Sequence, residues 1–314
     1  MSAIRRLFRS LRAFSREQPH SPVERQQLNG VEPRRPRLGV ALGGGFARGL
    51  AHIGVLKALE EAKIPVDFVA GTSVGAIVGA CYCAGMSAAE LEEVARVARF
   101  RDFARWTLSR YALCSSERLR QFCARVLKVS TFEDLRIPLA VSATDFLNGE
   151  AVVFTKGPLV GPIRASCAYP GMFHPVEIDG RSYIDGMLGY AVPTTPLRRM
   201  GAERVLGVFL SAHWTQHRPP RHLFEVIGQC FSIAQSRMSE LWRKDADLLL
   251  QPDVNGFSYN CFDRARELIE LGENSGRAIV PELQTLLNMG GPAASLAAAP
   301  TAVASASPQP TAAL

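Results

Sequence analysis

Apolar positions along this chain of 314 residues follow two periods. Short unbroken runs read as buried β-strands: RLGVAL at 37–42, VDFVA at 66–70, PLAVSATD at 138–145, AVVFT at 151–155, RVLGVFLS at 204–211 and DLLLQPDV at 247–254. Between them apolar residues recur every three or four positions. This predicts helices around 49–62, 74–85, 87–105, 116–128, 158–167, 221–244 and 263–288. Strands alternating with helices imply an α/β fold with a mainly parallel sheet covered on both faces. Ligand sites in such folds lie at the carboxyl ends of strands.

Two glycine-rich stretches follow the first two strands. Gly43, Gly44 and Gly45 are succeeded by Arg48 and Gly49 at the start of a helix. The dinucleotide pattern G-x-G-x-x-G fails in both registers, and no Gly-Lys-Ser/Thr completes a P-loop. Glycines here either expose several N–H groups to one anionic atom, helped by the helix dipole, or make a tight strand-to-helix turn. The second stretch, Gly71-Thr72-Ser73-Val74-Gly75, is G-x-S-x-G between an apolar strand and a small-residue helix, the setting of a nucleophile elbow. Gly71 and Gly75 let the chain turn sharply around Ser73, which makes Ser73 the candidate nucleophile.

A nucleophilic serine needs a base. One choice is a histidine downstream (His174, His213, His217 or His222), as in a conventional Ser-His-Asp esterase. The other lies in GMFHPVEIDGRSYIDGM, 171–187. There Asp179-Gly180 reads as a hairpin turn between PVEI and RSYI. Asp185-Gly186 then ends the returning strand, where an active-site group emerges. Arg48 either neutralises an anionic group or braces the glycine loop, and His52 reads as a packed structural histidine.

Composition narrows the picture. At 47% hydrophobic and 21% charged residues, the chain can bury a large core. No apolar run is long enough for a transmembrane helix, and charged residues interrupt the N-terminus before a secretory h-region forms. Seven cysteines without zinc-like or C-x-x-C spacing fit a reduced compartment. The net charge of +7 is concentrated: residues 1–37 carry nine Arg and three Glu, and the rest is nearly neutral. A neutral body argues against nucleic acid as a partner. Within the arm, Ile4, Leu7, Phe8, Leu11 and Phe14 share one helical face, with Arg5, Arg9, Arg12 and Arg16 behind them. That is the pattern of a helix lying in a membrane interface. Pro19, Pro22, Pro33 and Pro36 mark a linker. Residues 290–314 are an uncharged Ala/Pro/Ser segment that cannot build a core. The expected organisation is an arm and linker at 1–36, a globular domain at 37–289 and a tail at 290–314. Farther along, Phe100, Phe103 and Trp106 are spaced to share a helix face among arginines, either toward lipid or toward the core.

The order G-G-G-x-x-R-G, G-x-S-x-G and a late Asp-Gly resembles that of patatin-like phospholipases. The likeness extends through RGLAHIGVLKALEE, GTSVGAIVGA, RASCAYPGMFHPVEIDGRSYIDG and GAERVLGV, covering roughly residues 37–210. It implies a three-layer α/β/α fold, hydrolysis of lipid acyl esters, and a Ser–Asp dyad with no catalytic histidine, metal or cofactor. Ser73 matches the nucleophile and Asp185 the dyad aspartate. Gly43, Gly44, Gly45 and Arg48 match the oxyanion loop. The basic amphipathic arm, the cysteine usage and the lack of a visible signal peptide lead to the expectation of a cytoplasmic protein, peripheral on the inner face of a membrane that the arm contacts. Met187 departs from the usual Gly or Ala after Asp-Gly, and Tyr190 stands where an Asn is frequent. Met187 is expected to narrow the acyl pocket. A membrane-associated regulatory module with little turnover is the competing use of the same fold.

Overall fold

The chain divides into two compact units, Met1–Arg34 and Arg35–Leu314. The computed structural model describes residues 34–107, 109, 112–210 and 223–288. The basic arm, the tail and the candidates His213, His217 and His222 lie outside the described residues. Near the start of the second unit the Arg35 guanidinium grips the Asp67 carboxylate at 2.7 and 2.8 Å.

In chain order the elements are β1 (Leu38–Leu42), α1 (Ala51–Glu61, after a 3-10 turn at Phe46–Leu50), β2 (Phe68–Thr72), α2 (Val74–Cys83), α3 (Ala88–Val97), α4 (Phe100–Phe103), β3 (Arg105–Trp106), β4 (Cys114–Ser115), α5 (Glu117–Val126), β5 (Leu139–Asp145), β6 (Ala151–Phe154), α6 (Val160–Ser166), β7 (Val176–Ile178), β8 (Arg181–Asp185), α7 (Thr194–Met200), β9 (Arg204–Val208), α8 (Leu223–Arg243), β10 (Leu248–Leu250) and α9 (Ala265–Leu286). The main sheet runs β10-β9-β1-β2-β5-β8-β7, with β6 also paired to β5. Strands β10, β9, β1, β2 and β5 are parallel, whereas β6 and β8 run antiparallel to β5.

Alternate residues of the strands sort into two cores, as the two-residue period of a strand requires. Val40, Leu42, Val69, Leu139, Val141, Leu206 and Val208 pack with α1, α2, α3, α5 and α9. The smaller Ala41, Ala70 and Ala140, with Phe68 and Val205, pack with Leu197 of α7 and Trp242 of α8. The sheet is therefore covered on both faces, the α/β/α arrangement expected. Helix α9 presses closely on α1, and a methyl group on Gly54 or Gly272 would collide with the partner helix's backbone.

The predicted hairpin is present as β7 and β8. Asp179 and Gly180 at its tip both have positive φ, 50° and 74°, as a tight two-residue hairpin turn demands. The helix expected over 87–105 breaks at Ala98–Arg99, where the backbone is extended. A second extended residue, Ala104, ends α4 and splits the aromatic trio. Phe103 packs on Phe122 and Phe262, with ring centroids 4.7 and 5.5 Å apart, and Phe100 leans on Phe262. Trp106 sits on β3, out in solvent. Helix α7 was not expected: its Thr-Thr-Pro-Leu-Arg-Arg-Met run is too short for a helical period to stand out.

Candidate active site

Ser73 joins β2 to α2 with φ 55° and ψ −123°, a conformation that costs a non-glycine residue free energy. The glycines on either side make the turn possible. A methyl group on Gly75 would collide with the Leu42 carbonyl oxygen of β1, and one on Gly71 would meet the start of α2. The first N–H groups of α2 have no partner within the helix, and its positive end faces Ser73. The Ser73 N–H itself donates to Ser166 Oγ at 2.7 Å, and Ser166 is wholly buried at the end of α6. This bond pins the strained turn.

The register of β5 brings Asp185 to Ser73. Strand β6 pairs with Val141–Thr144 and occupies one edge of β5. The other edge is shared end to end: β2 pairs with Leu139–Ser142, and β8, running the opposite way, pairs with Ala143–Asp145. Thr72 lies opposite Ser142 and Asp185 opposite Ala143, so the carboxyl ends of β2 and β8 meet about 3.3 Å apart along β5. A row of hydroxyls braces the junction. Thr72 Oγ1 donates to the Tyr190 carbonyl at 2.7 Å and contacts Ser142 Oγ, and Thr144 Oγ1 donates to the Asp185 carbonyl at 2.9 Å.

Asp185 is 1% exposed. Burial pushes its pKa from 3.8 up to about 7, against smaller downward pulls from the Met187 N–H and the Ser73 hydroxyl. Oδ1 accepts from Met187 N at 3.0 Å, whereas Oδ2 has no hydrogen-bond partner among the described residues. The Ser73 hydroxyl thus lies near enough to influence the carboxyl without closing a bond of good geometry to Oδ2. Cys167 is the third group here. Burial and the Asp185 charge hold its thiol well above the usual range, so it stays neutral.

The glycine loop lies on the other side of Ser73. A methyl group on Gly44 would stand 3.5 Å from Ser73 Cβ. Not all three glycines have free N–H groups: Gly43 donates to Val208 O at 3.0 Å and Gly44 to Ala191 O at a longer 3.3 Å. The Gly45 N–H has no acceptor among the described residues. Arg48 braces the loop, its Nε donating to the Gly45 carbonyl at 3.3 Å from a buried position. His52 is fully buried and neutral, its pKa pushed down to about 4 by desolvation, so Nε2 carries the proton that goes to Gly43 O at 2.8 Å. It supports the loop from behind.

One cavity reaches the serine and a second lies beside the glycine loop. An apolar cleft with about 840 Å³ of empty volume runs from Ser73 and Cys167 along one stripe of α2 (Val74, Ile77, Val78, Cys81) and is closed by α3, Phe103, Leu119 and Phe122. Residues three and four apart on a helix share a face, so the stripe follows from the sequence of α2. The second cavity is more polar and lies between the glycine loop, Arg48, Tyr169 and α8. Met187 lines this second cavity, over Gly44, and not the apolar cleft. The 3-10 turn after Asp185 carries residue 187 to this cavity, so its side chain does not narrow the apolar cleft.

Sequence reading missed Ser166, Ser142 and Thr144. Ser142 and Thr144 were marked only as hydroxyls in an otherwise apolar buried strand, and Ser166 by an isolated polar residue in a small-residue helix.

A serine elbow at the carboxyl edge of a mainly parallel sheet, facing a buried aspartate, defines the class of the site. The model for the patatin-like phospholipase family matches residues 40–198. The chain belongs to the patatin-like phospholipase family. It is 37% identical over 182 residues to an uncharacterized NTE family protein of Mycobacterium tuberculosis, covering 56% of this chain and 49% of that protein. It is 35% identical over 182 residues to Lysophospholipase NTE1 of Mycosarcoma maydis, covering 54% of this chain and 9% of the relative. Human patatin-like phospholipase domain-containing protein 6 is 34% identical over 179 residues, covering 54% and 13%. The match thus spans about half the length of the mycobacterial relative. Among solved structures, VipD from Legionella pneumophila aligns with a TM-score of 0.47 at 12% identity, over 80% of this chain and 67% of that one.

Proposed function

We propose that the chain is a serine acyl hydrolase that cleaves acyl esters of phospholipids or lysophospholipids, with Ser73 as nucleophile and Asp185 as general base. The observation that carries this reading is the meeting of β2 and β8. It sets the elbow serine beside a buried carboxyl of pKa about 7 at the end of an apolar cleft. A carboxylate of ordinary pKa is a poor base for serine, and raising it toward working pH improves proton transfer.

Ser73 Oγ attacks the ester carbonyl carbon while its proton passes to Asp185. The oxyanion accepts hydrogen bonds from the Gly45 N–H, the loosely held Gly44 N–H and the first N–H of α2, each such donor being worth about 10²–10³-fold. Collapse breaks the bond to the alcohol, which leaves with the proton from Asp185. Water then attacks the acyl-enzyme, giving its proton to Asp185, and as the second intermediate collapses Asp185 passes that proton to Ser73 Oγ, the Oγ–acyl bond breaks and the fatty acid departs. The acyl chain occupies the apolar cleft. No step uses a histidine: His52 is committed to Gly43, and the reading assigns none to the described His174.

The domain plan of an arm at 1–36, a catalytic body at 37–289 and a tail at 290–314 belongs to the same proposal. The arm serves as a peripheral tether to an anionic membrane on the cytoplasmic side. Kinetics on a monoacyl phospholipid and on a short soluble ester test the reading. Wild type cleaves both, and Ser73→Ala and Asp185→Asn cleave neither. Wild-type rates in either variant refute it.

A further inference from the structure

The apolar cleft opens to the outside beside Phe100 and Phe262. Phe100 and Phe262 line the cleft and also an outer, open cavity rimmed by Arg99, Arg101, Asn260 and Asp263. This mouth is at the carboxyl edge of the sheet, because α2 runs away from Ser73 and α3 returns toward that edge. At the return, Val97 ends α3 with 74% of its surface exposed, and just beyond α4 Trp106 is 67% exposed. A single exposed hydrophobic residue is unremarkable, but two that bracket in the chain the segment lining a cleft mouth mark an interaction site. The same edge carries a second apolar tip, the β5–β6 turn, where Phe146 is 53% and Leu147 86% exposed. This tip stands beyond Asp185 on the strand that positions it.

The charges around the mouth are mostly positive, with Asp263 the carboxylate on its rim. Arg99, Arg101, Arg105 and Arg118 are exposed. Arg118 donates to the Arg101 carbonyl and Arg99 to the Arg96 and Ala98 carbonyls, so these two guanidinium groups brace backbone and stay charged. The local carboxylates are fewer or already paired: Asp102 caps the Arg99 N–H, Glu92 pairs with Arg96, and Glu117 with Arg120. Arg101 and Arg105 have no ion-pair partner among the described residues, and exposed apolar side chains among such arginines complement a surface with an oily interior and an anionic skin.

We infer that the body, independently of the N-terminal arm, docks on an anionic phospholipid bilayer through this edge. Val97 and Trp106 insert, and Arg101 and Arg105 lie at the head groups. The acyl chain then passes from the bilayer past Phe100 and Phe262 into the cleft without crossing water. The role given to the cleft rests on the acyl-hydrolase reading, but the docking itself does not.

Trp106 reports on this directly in the full-length chain. The protein has three tryptophans; Trp242 is buried, so Trp214→Phe leaves Trp106 as the exposed emitter. Vesicles of phosphatidylcholine and phosphatidylglycerol carrying dibrominated acyl chains should quench its emission and shift it to the blue. Val97→Asp with Trp106→Ser should lower the vesicle partition coefficient at least tenfold. Arg101→Glu with Arg105→Glu should lower it about fivefold per arginine on anionic vesicles, and by far less on pure phosphatidylcholine or in high salt. Unquenched Trp106 emission on vesicles that sediment the protein would overturn the inference, since the arm alone would then do the binding. So would unchanged partition of both double variants. Hydrolysis of a soluble short ester by the same preparations separates the two claims. Its absence in wild type counts against the hydrolase reading and leaves the docking result to the quenching.

Discussion

Asp185→Asn should stabilise the protein at the pH where the wild type works, even as it abolishes activity. The folded protein holds a proton on Asp185 up to a pKa of about 7, whereas the unfolded chain releases it near 3.8. Stability from this group is therefore complete below pH 3.8, falls as pH rises, and is fully lost above about 7. At about 1.4 kcal/mol per tenfold, the whole loss is about 4 kcal/mol, of which about 3 kcal/mol falls between pH 5 and pH 8. Asparagine has no proton to lose. Its Oδ1 can keep the bond from Met187 N, and the cost of its buried amide does not vary with pH. Other titrations are common to both proteins and cancel. Urea unfolding of wild type and variant at pH 5 and pH 8 should show the stability difference moving by about 3 kcal/mol in favour of the variant. In melting temperature this is roughly 6–12 °C for a domain of this size. In wild type, kcat/KM on a soluble ester should rise about tenfold per pH unit and level off near pH 7, because the ionised carboxylate is the base. A stability difference that stays constant from pH 5 to pH 8 would refute the reasoning: Asp185 would then titrate as an ordinary carboxylate.

Three further perturbations probe the surroundings. Ser166→Ala removes the acceptor of the Ser73 N–H and should cut kcat about tenfold with KM unchanged; a KM effect alone would mean that Ser166 only shapes the cleft. Gly75→Ala should destabilise by more than about 3 kcal/mol in urea unfolding, since its methyl meets backbone at Leu42 and not a movable side chain. The α2 stripe from Val74 to Cys81 is about 10 Å long at 1.5 Å per residue. An extended acyl chain advances about 1.25 Å per carbon, from bonds of about 1.5 Å at tetrahedral angles. A p-nitrophenyl ester series should therefore peak at about eight to ten acyl carbons, and Ile77→Phe should shift the peak to shorter chains.

Much of this site can be read from the chain before any coordinates. The continuous apolar runs of β1, β2, β5 and β9 announce a doubly covered parallel sheet, and G-x-S-x-G between such a run and a small-residue helix announces the elbow. Asp185 is legible as the end of a hairpin strand but not as a neighbour of Ser73. That depends on β6 occupying one edge of β5 and leaving β2 and β8 to share the other, a long-range pairing with no local signal. The three glycines look equivalent in sequence, yet Gly43 spends its N–H on Val208. Helical spacing placed Phe100, Phe103 and Trp106 on one face, whereas the extended link at Ala98–Arg99 and the change to strand at Arg105 put the phenylalanines in the cleft and the tryptophan outside. Met187 follows Asp185 by two residues, yet the 3-10 turn between them carries its side chain over Gly44 and away from the lining of the apolar cleft.

The central claim is that Ser73 is a nucleophile activated by Asp185 alone. The most direct test is the rate and location of labelling by an alkyl fluorophosphonate at pH 8, read by peptide mass spectrometry on wild type, Asp185→Asn, His174→Ala, His213→Ala and His217→Ala. The account predicts one adduct, on Ser73, formed at least about a hundredfold more slowly in Asp185→Asn and at the wild-type rate in all three histidine variants. An adduct on another residue, undiminished labelling of Asp185→Asn, or loss of labelling with any of the histidines would contradict it.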